Sequence, residues 1–215
     1  MKLRFFLLFL LPNVPAAVAQ TSPPAEFVPE SSNLVLASNS SLLYPGLKVG
    51  VEVPLRTVGI NRPRKTGSPK VFNRDLFLTT SANWYHHPTF HDNTYLTLGL
   101  LNRRTTASGF FRETSAEIGV SRTFLGGTTY QVTDEGRVSI KQAAGHTYGV
   151  ATVGAGVGYD FRQTGTLPLA LYSKLNLLVL FPYNSTLYVR PTLEVGLVYT
   201  PAQFLRRKVR SIKRG

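Results

Sequence analysis

The sequence of 215 residues contains no cysteine. Such a chain has no disulfide framework, no thiolate metal site and no cysteine nucleophile, and it lacks the residue that carries the lipid of a bacterial lipoprotein. Charged residues are also scarce, at 16% of the chain, compared with about 25% in an ordinary soluble domain. Because hydrophobic residues still make up 43% of the chain, the composition argues against intrinsic disorder. The length suits one domain or at most a small pair.

Acidic residues are the scarcest charged type. There are 11 Asp and Glu against 24 Lys and Arg, which gives a formal net charge of +13. A protein this basic is usually expected to bind nucleic acid. This chain has no face on which basic and aromatic residues interleave, and it begins with a secretion signal, so we expect no nucleic-acid partner.

No apolar run is long enough to cross a membrane as a helix, which needs about 20 residues. Basic residues precede an apolar run at 5–11, and small residues follow up to Ala19. This pattern predicts a cleaved signal peptide over residues 1–19. Its removal leaves 22 cations against 11 acids, a net charge of +11. Residues 20–32, rich in Ser, Pro and Glu, are predicted to form a flexible lead-in.

The spacing of apolar residues is that of β-strands. From about Asn33 onward the i, i+3, i+4, i+7 pattern of a helix is absent, and apolar and polar residues alternate instead. The alternation is clearest around Leu193 to Leu197. It predicts a weak first strand at Leu34 to Leu36 and seven clearer ones near Gly46 to Pro54, Phe72 to Tyr85, Thr94 to Leu101, Phe110 to Val132, Arg137 to Phe161, Leu167 to Phe181 and Thr186 to Thr200. Hairpin turns are expected at 134–136 and 182–184, and Gly126-Gly127 is interpreted as a bulge.

Two kinds of barrel fit this pattern. A secreted, soluble, lipocalin-like barrel would turn its apolar residues inward to bind an apolar ligand, whereas a membrane barrel turns them toward lipid. The strands are long, their polar positions are rich in Gly, Ser and Thr, and aromatic residues collect at strand ends. These features favour the membrane version. We therefore predict an all-β fold, an antiparallel up-and-down transmembrane β-barrel of about eight strands over residues 33–200, in the outer membrane.

The polar positions of the strands include charges of both signs. In the membrane version these side chains face the lumen, where ion pairs would fill a narrow barrel and leave no pore. The predicted lumen ion pairs involve Lys48, Glu52, Glu113, Glu117, Lys174, Arg190 and Glu194.

Most of the remaining cations fall at one end of the predicted barrel, here named the basic rim. Outer-membrane barrels keep the C-terminus in the periplasm, so this end is predicted to be periplasmic and to face anionic headgroups, peptidoglycan or an acidic partner. This end, which includes the basic tail 201–215, contains 14 of the 24 cations and is predicted to contain no acidic residue. The cations are Arg56, Arg62, Arg64, Lys65, Lys70, Arg103, Arg104, Arg162, Arg206, Arg207, Lys208, Arg210, Lys213 and Arg214.

Three of the four histidines lie together at the opposite end, the histidine rim. His86, His87 and His91, with Asp92, are candidate ligands for a transition metal or the basis of a pH response. The alternative is a proline-kinked turn with its histidines among the aromatic residues. A lipid-modifying enzyme acting at the rim is a second alternative, but no Gly-x-Ser-x-Gly motif marks a nucleophile. We therefore expect no catalysis and no cofactor.

Four sequence phrases together resemble a family of small, uncharacterised outer-membrane β-barrel proteins of Bacteroidetes-type bacteria. They are residues 121–130 (SRTFLGGTTY), the turn 86–91, residues 156–161 (GVGYDF) and residues 181–184 (FPYN). The resemblance implies an outer-membrane barrel of no established activity with a structural or interaction role, and no functional residue is transferred by it. Barrels of this class usually end at an aromatic residue, whereas here a basic tail follows Tyr199 and Phe204.

Overall fold

A computed structural model describes residues 26–27, 31–41, 44–62, 70–88, 91–132, 134–141, 143–163, 165, 167–183 and 186–202. The predicted signal peptide, most of the lead-in and the tail beyond Ala202 lie outside these residues.

Eleven strands account for most of the described chain. They are β1 (Glu26–Phe27), β2 (Asn33–Ser40), β3 (Gly46–Arg62), β4 (Lys70–His87), β5 (His91–Thr106), β6 (Phe110–Leu125), β7 (Tyr130–Val132), β8 (Val138–Ile140), β9 (Thr147–Asp160), β10 (Leu169–Tyr183) and β11 (Thr186–Tyr199). A 3-10 turn at Phe161–Gln163 is the one helical element among the described residues. No helix in the described part of the chain has the length and apolar content to cross a membrane.

Eight of these strands form a closed antiparallel barrel. Each pairs with the next in the order β2, β3, β4, β5, β6, β9, β10 and β11, and β11 returns to pair with β2 through Tyr199 and Leu34. Each of these eight strands therefore has a paired strand on both sides. The predicted antiparallel up-and-down barrel of eight strands is confirmed, including its weak first strand.

Several strand ends differ from the prediction. β5 continues to Thr106 instead of ending at Leu101, and β9 begins at Thr147 instead of Arg137. β3 and β4 pair as far as Arg62 and Lys70, so the connection expected from about residue 55 shrinks to 63–69. β6 ends at Leu125, and Gly126-Gly127 leads out of the barrel instead of forming a bulge within a long strand. The segment 126–146 that follows contains the small hairpin of β7 and β8. The longest connection therefore lies at the histidine rim.

The short strand β1 lies in the predicted flexible lead-in. Glu26 and Phe27 pair with Val58 and Thr57 on β3. Part of this segment is thus attached to the barrel wall near the basic rim.

The alternation along the strands separates an apolar exterior from a polar interior. On β11, Leu193, Val195 and Leu197 are exposed by 45–48%, whereas Thr192 and Glu194, at the alternate positions, are buried. The same division holds around the barrel. Seven of its strands carry exposed leucine, valine or isoleucine side chains on the outer face, and on β4 the outward Leu76 and Leu78 are half-buried. An apolar exterior with a charged interior does not fit the soluble, lipocalin-like alternative, which requires the reverse.

Candidate functional site: the barrel interior and its rims

The interior is centred on Arg103. Its guanidinium donates to both oxygens of Glu52, at 2.9 and 3.0 Å, and to Glu113 Oε2, at 2.8 and 2.9 Å. All three side chains are buried. Two carboxylates on different strands are therefore bridged by one planar cation, an arrangement that suits the fixed fork of an arginine.

Arg103 was predicted to lie on the basic rim, and this assignment is wrong. It shares its strand face with Leu101 and Thr105, which are also buried, while Arg104 next to it is exposed. The sequence signal was available, since Leu96, Leu98 and Leu100 mark the even positions of β5 as the apolar outer face. Arg103 therefore belongs to the odd, inward face.

Two lysines extend the interior network. Lys48 Nζ lies 3.3 Å from Glu117 and 3.4 Å from Glu194, and Lys174 Nζ lies 3.2 Å from Glu194 and 3.7 Å from Glu113. These contacts link Arg103 to Lys48 through shared carboxylates. Six of the seven residues predicted to form lumen ion pairs are thus brought together.

Arg190, the seventh, makes a different contact. Its guanidinium lies over the ring of Tyr85, at 3.7 Å from the centroid, and over that of Tyr44, at 5.5 Å. The side chain is 5% exposed, and its Nε has no hydrogen-bond partner among the described residues. A cation over aromatic faces is stabilised by the ring quadrupole, so Arg190 belongs to an aromatic cluster near the histidine rim.

Neutral side chains complete the network. Tyr172 donates to Glu194 at 2.6 Å and Asn176 donates to the same carboxylate at 2.9 Å. Asn33 donates to Glu52 at 2.8 Å, and Thr97 to Glu117 at 2.6 Å. Buried charges need such partners for their remaining lone pairs. Sequence analysis did not identify these four residues, because only the register brings them to the carboxylates.

A glycine face on β9 makes room for this network. Gly154, Gly156 and Gly158 face inward. A Cβ on Gly156 would come within 2.6 Å of the Ser173 carbonyl oxygen and 2.8 Å of Lys174 Cβ. The absence of side chains here allows the long chains of β10 to lie across the lumen.

The residues of the histidine rim divide between two faces of the sheet. His86 Nδ1 lies 2.6 Å from Asp92 Oδ1 on the outer face. His87 and His91 stack on each other, with ring centroids 5.2 Å apart, and His87 also stacks on Tyr44. Adjacent residues of a strand point to opposite sides, so His86 and His87 do not converge as the metal-site hypothesis requires. No group of three or more potential ligands suited to a metal ion occurs among the described residues.

His91 lies outside the apolar part of the wall, at the histidine rim. It is three residues before Thr94, whose cross-strand partner is Trp84. Burial, with the neighbouring His87 and Arg190, holds the pKa of His91 below its usual value.

The basic rim is only partly described. Arg56 and Arg104 are exposed on the outer face of β3 and β5, and Arg62 and Lys70 pair at the ends of β3 and β4. The expected acid-free rim also contains Asp160, whose carboxylate accepts hydrogen bonds from Arg162 at 2.6 and 2.8 Å. The remaining cations predicted for this rim lie outside the described residues: Arg64, Lys65, Arg206, Arg207, Lys208, Arg210, Lys213 and Arg214.

Two further arginines on the outer face, Arg74 and Arg112, were not identified from the sequence. Arg74 lies directly opposite Arg104, and Arg104 directly opposite Arg112, on three successive strands. The three form what we name the arginine row.

Comparison with protein-family models and with curated proteins finds no match. Among solved structures, the chain is similar to Neisserial surface protein A (NspA), with 16% identity over 83% of this chain and 99% of that chain and a TM-score of 0.41. It is also similar to the N-terminal β-barrel domain of Pseudomonas aeruginosa OprF, with 15% identity over 81% of this chain and 99% of that chain and a TM-score of 0.39. At this similarity neither structure decides fold or function, which rest on the residues of this chain.

Proposed function

We propose that the chain is an outer-membrane β-barrel protein with a closed lumen and a structural or interaction role through its rims. The proposal assigns it no catalysis and no cofactor. The charged network that crosses the interior carries the proposal.

The exterior supports placement in a membrane. Outward side chains such as Leu96, Ile118 and Leu175 are exposed by 58%, 69% and 68%. In water, a surface of this kind around a whole barrel would far exceed the apolar patch of an ordinary monomer. In lipid it is the expected exterior of a closed β-barrel. The predicted signal peptide supplies the route to the outer membrane.

The interior supports a closed lumen. Four glutamates and three cations form ion pairs across it, and each of the three cations bridges carboxylates on different strands. A cavity among Lys48, Glu117 and Glu194 has a volume of about 20 Å³, which is room for about one water molecule. Side chains therefore fill the space that a pore would need.

Conductance tests the closed lumen. We expect no steady single-channel steps when the refolded protein is inserted in planar bilayers. The double variant Lys48→Ala/Glu117→Ala removes one charge of each sign from the middle of the lumen and is expected to conduct, while Glu194 keeps Lys174, Tyr172 and Asn176. Heat-modifiable gel mobility establishes that both proteins are folded.

Conductance by the wild type contradicts the closed lumen. A silent double variant contradicts the assignment of closure to these side chains.

The two rims support an orientation with the basic rim in the periplasm. Both ends of the barrel, Asn33 and Tyr199, lie at this rim, and its connections at 63–69, 107–109 and 161–168 are short. The 126–146 segment is at the other rim, and outer-membrane barrels have their longer loops outside the cell. The partners we propose for the basic rim are anionic headgroups, peptidoglycan or an acidic periplasmic protein.

Protease treatment of intact cells tests the orientation. We expect trypsin to cleave at Arg137 or Lys141 in the long segment and to spare Arg64 and Lys65. The reverse pattern, with cleavage only in 63–69, would place the basic rim outside the cell. Release of the protein into the soluble periplasm without detergent would contradict the membrane location itself.

The absence of catalysis has a separate test. His86 is bound to Asp92, and His87 and His91 stack with each other and with aromatic rings. These contacts support a packing role for the histidines. A deletion strain with an altered lipid profile would contradict it.

A further inference from the structure

The arginine row places three like charges side by side on the outer face of the barrel. Arg74, Arg104 and Arg112 are exposed, and each is the direct cross-strand neighbour of the next. Side chains in such positions are about 5 Å apart at Cβ, and like charges there destabilise a sheet. An arrangement of this kind is stabilised by an anion that contacts more than one of the arginines.

Acidic residues are few on this part of the barrel. The cross-strand row that contains the arginines also includes Glu26 on β1, which pairs with Val58, the partner of Arg74, so one strand lies between Glu26 and Arg74. Among the described outward positions of β3, β4, β5 and β6 at this end there is no Asp or Glu. Glu113 borders the site, but its carboxylate is turned into the barrel toward Arg103, and Asp75 also points inward, where it accepts a hydrogen bond from Thr57. The three cations of the row therefore outnumber the acidic residues at the described outward positions around it.

The row lines a groove in which the guanidinium groups are held in place. The groove has a volume of about 380 Å³ and is lined by Ile60, Phe72, Arg74, Asn102, Arg104, Arg112, Glu113 and Thr114. Arg104 lies over the ring of Phe72, at 3.6 Å from its centroid, and Phe72 is only 3% exposed although it faces outward. Arg74 Nε lies 3.3 Å from the side-chain oxygen of Asn102. Two of the three cations are thus oriented before any ligand arrives.

The row lies at the edge of the apolar band. On β6, Arg112 and Arg122 both face outward, and the outward residues between them, Thr114, Ala116, Ile118 and Val120, carry no charge. Ten residues of strand extend about 34 Å, or roughly 26 Å along the axis of a barrel whose strands tilt by about 40°. This separation matches the height of the lipid-facing band of outer-membrane barrels, about 25 Å. Arg112 and Arg122 therefore mark two headgroup levels.

Arg122 provides an internal contrast. Its guanidinium donates to Thr147 Oγ1 and to the carbonyl oxygen of Ala143, both at 3.1 Å. Its cross-strand partners, Thr94 and Thr147, are uncharged. At one edge of the apolar band there is thus a single arginine, Arg122, that is hydrogen-bonded to its own chain, and at the other edge there are the three adjacent arginines of the row.

We propose that the arginine row binds the phosphate of an anionic glycerophospholipid in the leaflet at the basic rim. This inference rests on the proposed membrane location. Guanidinium groups bind phosphate oxygens in pairs of parallel hydrogen bonds, and two neighbouring arginines present such pairs to one phosphate. The row faces the bilayer, and Ile60 and Phe72 offer apolar contact beside it, which favours a lipid over a free anion.

Native mass spectrometry of the folded protein in detergent micelles with added phosphatidylglycerol tests the site. The variants are Arg74→Gln/Arg104→Gln/Arg112→Gln and the control Arg122→Gln. We expect the wild type and the control to retain phosphatidylglycerol, and the triple variant to bind it at least about tenfold more weakly, since each cation near an anionic lipid surface contributes about fivefold. Heat-modifiable mobility identifies folded protein, and Arg74→Lys/Arg104→Lys/Arg112→Lys, which keeps the charge, is expected to give intermediate binding.

Three results would overturn the inference: undiminished retention by the triple glutamine variant, an equal loss in Arg122→Gln, or equal retention of phosphatidylcholine. Displacement of the lipid by millimolar inorganic phosphate would identify a site for free phosphate and would overturn the lipid assignment. The proposed membrane location is tested separately, by insertion of the same preparation into vesicles. One of the two proposals can therefore be contradicted while the other is supported.

Discussion

Arg103 and Arg104 are neighbours in the sequence with opposite environments. The first is 4% exposed and bridges Glu52 and Glu113 inside the barrel, whereas the second is exposed on the outer face and lies over Phe72. Identical side chains one residue apart thus lie in the lumen and on the outer face of the barrel. The parity of a position along the strand decides which.

The difference shows how the barrel accommodates its charge. Inside, Arg103, Lys48 and Lys174 bridge four glutamates, since a buried charge without a partner is strongly unfavourable. Outside, three arginines lie side by side at the edge of the apolar band, and β3 separates them from Glu26, the acidic residue of the same cross-strand row. The large positive net charge of the sequence is therefore carried outside the lumen.

Substitution of the two arginines by glutamine should separate these environments. Arg103→Gln leaves Glu52 and Glu113 buried without the cation that bridges them, and we expect a loss of about 3–5 kcal/mol in the free energy of unfolding. Arg104→Gln removes a stacking contact on Phe72 but also the repulsion from Arg74 and Arg112, so we expect a change within about 1 kcal/mol. Urea titration of the refolded barrel in micelles, followed by heat-modifiable gel mobility, measures both.

Equal losses in the free energy of unfolding from the two substitutions would contradict the difference between the buried and the exposed arginine. If Glu52→Gln restores stability to Arg103→Gln, the difference is due to charge, because the second substitution removes the repulsion between Glu52 and Glu113 that the first one leaves.

The existence of the eight strands could be predicted because their alternation is uninterrupted over the residues that span the wall. Their ends could not. Pro54 resembles a strand end, yet β3 passes it with an irregularity between Pro54 and Arg56 and continues to Arg62. The pair Arg103-Arg104 resembles a charged connection, although it lies within β5. Proline and adjacent charges are typical of turns in soluble proteins, and a barrel wall that extends past the membrane also admits them.

The interior could be predicted as a set of residues but not as a set of contacts. Lys48, Glu117 and Glu194 belong to three strands, and only the register of the closed sheet brings Lys48 Nζ within 3.4 Å of a carboxylate oxygen of each glutamate. The arginine row depends on register in the same way, because a shift of β5 by two residues would separate Arg104 from both neighbours. Sequence patterns determine the face of a side chain, and pairing between distant strands determines its neighbours.

A second neighbouring pair extends the comparison from charge to packing, with a smaller expected effect. Gly156 faces the lumen and Ala155 the outer surface. Gly156→Val would bring new carbon atoms against the Ser173 carbonyl oxygen and the stem of Lys174, and overpacking of this kind costs about 1–3 kcal/mol. Ala155→Val adds the same side chain to an exposed, apolar surface, where we expect a change within about 0.5 kcal/mol. The urea titration used for the arginines measures both variants. If Gly156→Val is as stable as Ala155→Val, the lumen at Gly156 has free space, which would contradict a closed interior at this level of the barrel.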